Sequence, residues 1–267
     1  MFPHNSVWNG IGVRIRVFPT AGEATASLGW RTGPEGRAEA QPRVAPAPTD
    51  APELDLDDLA APEPATRPDH DRRAVGRIRR YAVENRVTRL ATLTFGAGAS
   101  EGDLRGVVRL AQGFQRRLRE AYPALAWVRV FERHESGDLH LHYGLSEYVP
   151  QPHLQAMWPH GIVDVRMIRA RRRGQRAATR PGREAARRAA RYLSKYVVKD
   201  PVRMPGGHRY EVRQGFQPGA AVVWFDGDDT TRAMALVLDS LGIEPAYSWS
   251  SSGSPEWDGP PVTFSSW

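Results

Sequence analysis

The chain has 267 residues, no cysteine and a net charge of +7 at neutral pH. The missing cysteines exclude disulfides, thiol catalysis and cysteine-ligated zinc or iron–sulfur sites. No apolar run approaches the ~20 residues of a membrane helix, and a sequence pI of ≈ 10.1 points to a polyanionic partner.

The length suits one or two domains. Residues 1–68 are rich in Gly, Pro, Ala and Thr, with an acidic stretch at 50–64, and are expected to be a flexible or accessory arm. Within it, Val13, Ile15 and Val17 alternate with arginine and allow one short strand. Asp69 and Asp71 are the expected caps of a helix to about Asn85, with Val75, Ile78, Tyr81 and Ala82 on its apolar face. Residues 87–95 alternate as a strand, and 102–121 carry Leu104, Val107, Val108, Ala111, Phe114 and Leu118 at helical spacing. Pro123 ends that helix.

Segments 125–132 and 138–145 read as a hairpin turning at Ser136 and Gly137. A short helix near 151–158, a strand at 162–168, an arginine-rich loop at 170–182 and a helix from about Gly182 to Lys199 follow, and Pro201 stops that helix. A further hairpin is expected over 208–225, one more helix over 228–241, and a loose tail beyond 243. The order β-α-β-β-α-β-α predicts an α+β fold: an antiparallel, ferredoxin-like sheet with helices packed on one face. The expected division is an arm (1–68), a catalytic domain (69–243) and a tail (244–267). Trp127 and Trp158 are expected in the core.

Of 37 basic residues only Lys195 and Lys199 are lysine, and both lie in one run with Tyr192 and Tyr196. On a helix, positions i, i+3 and i+4 share a face, so phenols and ammonium groups crowd one side. Guanidinium stays charged, so arginine is a poor substitute where a proton donor is needed. The basic blocks 67–89 and 166–191 flank the patterned middle, and Arg171, Arg172, Arg173 and Arg176 read as phosphate contacts.

His140 and His142 point to the same face of a strand. Pairing across the turn brings Glu132 opposite them. Two imidazoles and a carboxylate with open positions suit Mg²⁺ or Mn²⁺ better than a closed zinc site. His134 and Glu135 compete for the third position but sit nearer the turn.

Thr92–Phe95, the hairpin with Phe131, Glu132, Gly137, His140 and His142, and the helix with Tyr192, Lys195 and Tyr196 together resemble the three motifs of HUH endonucleases. They look most like the rolling-circle replication initiators (Rep proteins) of bacterial plasmids and small phages, of the two-tyrosine type. The histidine pair precedes the tyrosine helix, as in Rep proteins, whereas in conjugative relaxases the nucleophile lies upstream. The resemblance covers about residues 72–225. It implies a metal-dependent nickase acting on single-stranded or origin DNA through a 5′-phosphotyrosine. Tyr196 would be a nucleophile and Tyr192 a second one. Tyr192 stands where some plasmid initiators have a glutamate, and Glu184 is too far back to replace it.

A phenol near its ordinary pKa of ~10 is a poor nucleophile and needs phosphate activation and a nearby cation, which Lys195 and Lys199 supply. Thr92 and Thr94 read as structural. Neither lysine follows a glycine, so there is no P-loop. A host helicase and polymerase are therefore the expected partners. No secretory signal is seen, and a cytoplasmic location is expected. The rival readings are a two-tyrosine transposase, a relaxase and a non-catalytic DNA-binding module.

Overall fold

A computed structural model describes residues 10–31, 68–96, 104–133, 138–168, 181–199, 210–255 and 257–267. The chain divides into two compact units, one of residues 46–218 and one of residues 1–45 with 219–267.

The 46–218 unit carries α1 (Pro68–Glu84), β3 (Arg89–Leu93), α2 (Leu104–Ala121), β4 (Trp127–Arg133), β5 (Leu139–Leu145), α3 (Gln151–Met157), β6 (Val163–Met167), α4 (Pro181–Lys199) and β7 (Tyr210–Val212). Here β1 (Gly10–Phe18) and β2 (Glu23–Arg31) precede it in the chain. The sheet order is β6-β3-β5-β4-β7, with every pair antiparallel. The first four strands have the interleaved ferredoxin-like order, so the α+β expectation holds. Helix α1 begins at Pro68, so Asp69 and Asp71 fall in its first turn and not at a cap.

The helices do not share one face. Leu93, Trp127, Phe131, Leu141 and Tyr143 pack with Val107, Phe114 and Leu118 of α2 and with Leu154 and Trp158 around α3. Leu90, Val128 and Val130 on the other face pack with Ile78 and Tyr81 of α1 and with Ala189, Leu193 and Val197 of α4. Strand β4 is apolar on both sides, Trp127 and Phe131 against Val128 and Val130, and such a strand needs cover on both sides. Trp127 and Trp158 are fully buried, as expected; the Trp158 indole N–H donates to the Thr94 carbonyl at 2.7 Å.

Gly144 sets how close α4 stands to this sheet. A Cβ there would lie 2.7 Å from Val87 Cγ1, 2.8 Å from Leu193 Cδ1 and 3.0 Å from Val128 Cγ1. Only a glycine lets Leu193 press that near the strand.

The second unit holds β1, β2, β8 (Ala221–Asp226), α5 (Thr230–Ser240), β9 (Tyr247–Ser250), a 3₁₀ turn (Ser251–Gly253) and β10 (Val262–Ser266). Its sheet runs β8-β1-β2-β10-β9. Asp229 caps α5 by accepting from the Arg232 N–H at 2.8 Å. These strands correct three expectations. Residues 10–31 are a hairpin, not a loose arm. The tail contributes two strands. Segments 210–212 and 221–226 do not form a hairpin, because β7 pairs with β4 and β8 pairs with β1. The tail escaped notice because β10 turns hydroxyls inward: Thr263 and Ser265 are buried, and Thr230 Oγ1 lies 2.9 Å from Thr263 Oγ1.

Candidate active site

Strands β3, β5 and β4 bring Thr92, His142 and Val130 into one row, and Glu132 pairs directly with His140 in the next. Alternation turns Thr92, His140, His142 and Glu132 toward the face that α4 covers. His142 is 3% exposed. Its Nδ1 lies 3.1 Å from Thr92 Oγ1 and its Nε2 lies 2.5 Å from Glu132 Oε2. Burial holds the imidazole pKa below its usual value, and the hydrogen bond and charge of Glu132 oppose that only in part.

Helix α4 delivers the other half of the site. Tyr196 stacks on His142 with ring centroids 4.5 Å apart and planes 11° from parallel. Tyr192 meets both rings edge-on, 6.1 Å from His142 and 5.3 Å from Tyr196. Lys195 Nζ sits 4.3 Å from the Tyr192 ring centroid and 4.5 Å from that of Tyr196. Burial raises the Tyr196 pKa above the ordinary phenol value, and hydrogen bonding and charge from Tyr192 and Glu132 raise it further. The phenol is therefore neutral in this arrangement.

The structure thus gathers Glu132, His142, Tyr192, Lys195 and Tyr196 at one point. His140 stands apart, its ring centroid 6.5 Å from that of His142. A metal shared by two imidazoles holds each ring centroid roughly 3.3 Å away, from the metal–nitrogen bond plus the ring radius. The observed spacing therefore reaches only a straight-line bridge, and a bent one needs His140 to turn inward. Accordingly, among the described residues no three His, Asp or Glu side chains stand as a ready metal cage. The donor chemistry nevertheless fits a hard divalent cation: a neutral imidazole, a carboxylate and a second imidazole one rotamer away.

Glu184 is paired with Arg191 at 2.9 Å, near the start of α4 and away from the tyrosine cluster, as its spacing implied. Lys199 ends α4, but its side chain is outside what is described. Arg171, Arg172, Arg173 and Arg176, with His134 and Glu135, also lie outside the described residues.

Sequence reasoning missed two contributors. Thr92, read as structural, is half-buried and fixes the His142 ring; its alternation beside the histidine strand was the available signal. Gly144 was passed over, although a lone glycine inside a strand marks a close approach.

Residues 88–201 match the family model of the ORF2-type replication-associated proteins. That span runs from the start of β3 to the end of α4 and contains every side chain of the cluster. No curated protein and no solved structure matches the chain. The match supports a Rep-type, replication-associated protein with DNA as its partner. No described helix is long and apolar enough to cross a membrane.

Proposed function

We propose that this protein is a metal-dependent, site-specific DNA nickase and ligase of the two-tyrosine HUH type, initiating rolling-circle replication. The observation that carries the reading is the stacking of Tyr196 on a histidine bonded to Glu132, with Tyr192 and Lys195 against the same ring.

Glu132, His140 and His142 are the residues that would hold Mg²⁺ or Mn²⁺, which when bound would polarise the scissile phosphate of a single strand. The Tyr196 phenolic oxygen bonds to phosphorus as the bond to the 3′ oxygen breaks. Lys195 lies over both phenols, so its ammonium group stabilises the phenolate. It gives a proton to the departing 3′ oxygen and takes up the proton Tyr196 loses. The products are a 5′-phosphotyrosine and a free 3′-hydroxyl, with no net proton consumed. Attack by a 3′-hydroxyl on the phosphotyrosine reverses the step and rejoins the strand. Tyr192, beside Tyr196, serves the second transfer that closes the displaced circle. The 3′-hydroxyl primes synthesis by a host polymerase, and a host helicase opens the duplex.

The test is a denaturing gel. The protein is mixed with single-stranded oligonucleotides from the DNA flanking its gene, with and without Mn²⁺. The expected result is a covalent adduct that needs the metal and disappears in Tyr196→Phe. A band shift with no adduct on any oligonucleotide would make the protein a binding module. Adduct surviving in the Tyr192→Phe, Tyr196→Phe double variant would remove both nucleophiles from the reading.

A further inference from the structure

The unit of residues 1–45 and 219–267 has a sheet face that the nicking chemistry does not use. Its helix α5 packs on the side carrying Val13, Ile15, Ala24, Ala26 and Val223. Alternation turns Arg14, Arg16, Trp224, Phe264 and Trp249 to the opposite side. No described α-helix of this unit covers that side.

The register orders these residues. Trp224 pairs with Arg14. One row further along, Arg16 faces Thr25, Thr25 faces Phe264, and Phe264 faces Trp249. Two arginines therefore lie between aromatic rings on either side. Four inter-strand gaps separate β8 from β9, about 19 Å, which is room for several bases at the ~3.4 Å rise of a stacked strand.

The rings are held in place before any ligand arrives. Gly12 pairs with Gly29, and the Trp224 indole reaches across that pair. A Cβ on Gly29 would lie 2.9 Å from Trp224 Cη2, so backbone braces the ring. Trp249 is braced edge-on by Trp257 at 5.3 Å. Preset planes lose little entropy when something stacks on them. The charge also has a direction. Glu23 on this side is 2% exposed, and Asp226 lies at the end of the Gly12 row, whereas Arg14 and Arg16 stand among the rings.

We infer that this face binds single-stranded DNA, with bases stacking on Trp224, Phe264 and Trp249 and phosphates meeting Arg14 and Arg16. The choice of DNA over RNA rests on the replication-associated reading; the stacking itself does not depend on the nicking chemistry.

The experiment uses the full chain carrying Tyr196→Phe, so that no covalent capture confuses binding. Anisotropy of a labelled oligothymidylate is compared with an abasic oligonucleotide of equal length and with duplex competitor. Trp224→Ala and Trp249→Ala should each weaken oligothymidylate binding about tenfold and leave abasic binding within about twofold. Trp249→Phe, which keeps a ring, should restore most of the loss. Arg16→Gln should weaken both ligands and flatten the salt dependence. Thermal melts check folding; should a tryptophan variant unfold, the Trp249→Phe, Arg16→Gln and abasic comparisons decide.

The inference is overturned if folded tryptophan variants bind like the parent. It is also overturned if duplex competes as well as single strand, or if the variants change self-association instead. Adduct formation with Tyr196 intact separates the two readings. Adduct without tryptophan-dependent binding sinks only this inference, and binding without adduct sinks only the nickase.

Discussion

Gly144→Ala tests whether the close seating of α4 makes the site. The added Cβ would stand 2.7 to 3.0 Å from carbons of Val87, Leu193 and Val128, all three fully buried. Ordinary carbon contacts fall at about 3.5–4.0 Å, so something must yield by roughly 1 Å. Val128 sits on the neighbouring strand and Val87 leads into β3, so both are tied to the sheet. Leu193 belongs to α4, and the helix is the part that can retreat. It carries Tyr192 and Tyr196 away from His142, which lies two residues from Gly144 on the same face. Overpacking of this kind costs about 1–3 kcal/mol. At ~2–4 °C per kcal/mol for a domain of this size, the melting temperature should fall by about 2–12 °C.

The activity should suffer more than the stability. A 1 Å misplacement of a reacting group costs about 10²-fold in rate. The assay is single-turnover adduct formation with Mn²⁺ beside a circular-dichroism melt. Adding Leu193→Ala removes the clashing carbon and should recover most of the rate lost to Gly144→Ala. The reasoning is refuted if Gly144→Ala melts and nicks like the parent, or if it loses nicking and the double variant recovers none.

Three further outcomes are expected. Tyr196→Phe should abolish the first cleavage, whereas Tyr192→Phe should leave it and impair the second strand transfer, read as unclosed product on a gel. Glu132→Gln removes the carboxylate bonded to His142 and should weaken Mn²⁺ binding at least about tenfold by calorimetry, with little change in melting. Tyr81 and Tyr143 have phenol pKa values raised above the ordinary 10.0 by burial. The folded state keeps their protons while the unfolded state loses them. Stability is therefore intact below about pH 10 and lost above it, by about 1.4 kcal/mol per pH unit for each phenol. Urea melts between pH 9 and 11 check this; a flat profile would contradict it.

Periodicity carried the catalytic half of the molecule. The i, i+3, i+4 spacing of Tyr192, Lys195 and Tyr196 placed them on one face, and the period of two joined His140 to His142; both are observed. The hairpin register also put Glu132 beside them. What periodicity could not carry was distance through space. Nothing local to β5 says that a helix near residue 193 will land on Gly144. The second unit was illegible for a different reason. Its inward positions at Thr263 and Ser265 are hydroxyls satisfied by Thr230 and Ser248, so the apolar alternation that betrays a strand is missing. Strand β7 was mistaken for a hairpin partner of β8. Its neighbour Arg213 instead donates to the carbonyls of Tyr122, Pro123 and Leu125, which holds β7 beside β4.

The same cluster makes one more prediction, which turns on the Thr92 hydroxyl. His142 has Thr92 Oγ1 on one nitrogen and Glu132 Oε2 on the other. A neutral imidazole carries one proton, so two arrangements are open. If Thr92 donates to Nδ1, then Nε2–H donates to Glu132 and no lone pair is left for a metal. If Nδ1–H donates to Thr92, the Nε2 lone pair faces the carboxylate. Two acceptors 2.5 Å apart then require a cation between them.

A hydroxyl can take either role by rotating, and that rotation permits the second arrangement. Thr92→Val keeps the shape and removes the acceptor, leaving Nδ1–H buried without a partner. The pair should then settle in the proton-bridged form. Mn²⁺ affinity should fall about 10–100-fold, the range for losing such an orienting partner. Thr92→Ser should restore it, and melting should move little in either variant. Calorimetric titration with Mn²⁺ reads the affinity, and the imidazole nitrogen shifts of His142 read the tautomer. Parental Mn²⁺ affinity in a folded Thr92→Val protein would show that the hydroxyl has no part in preparing His142 for a metal.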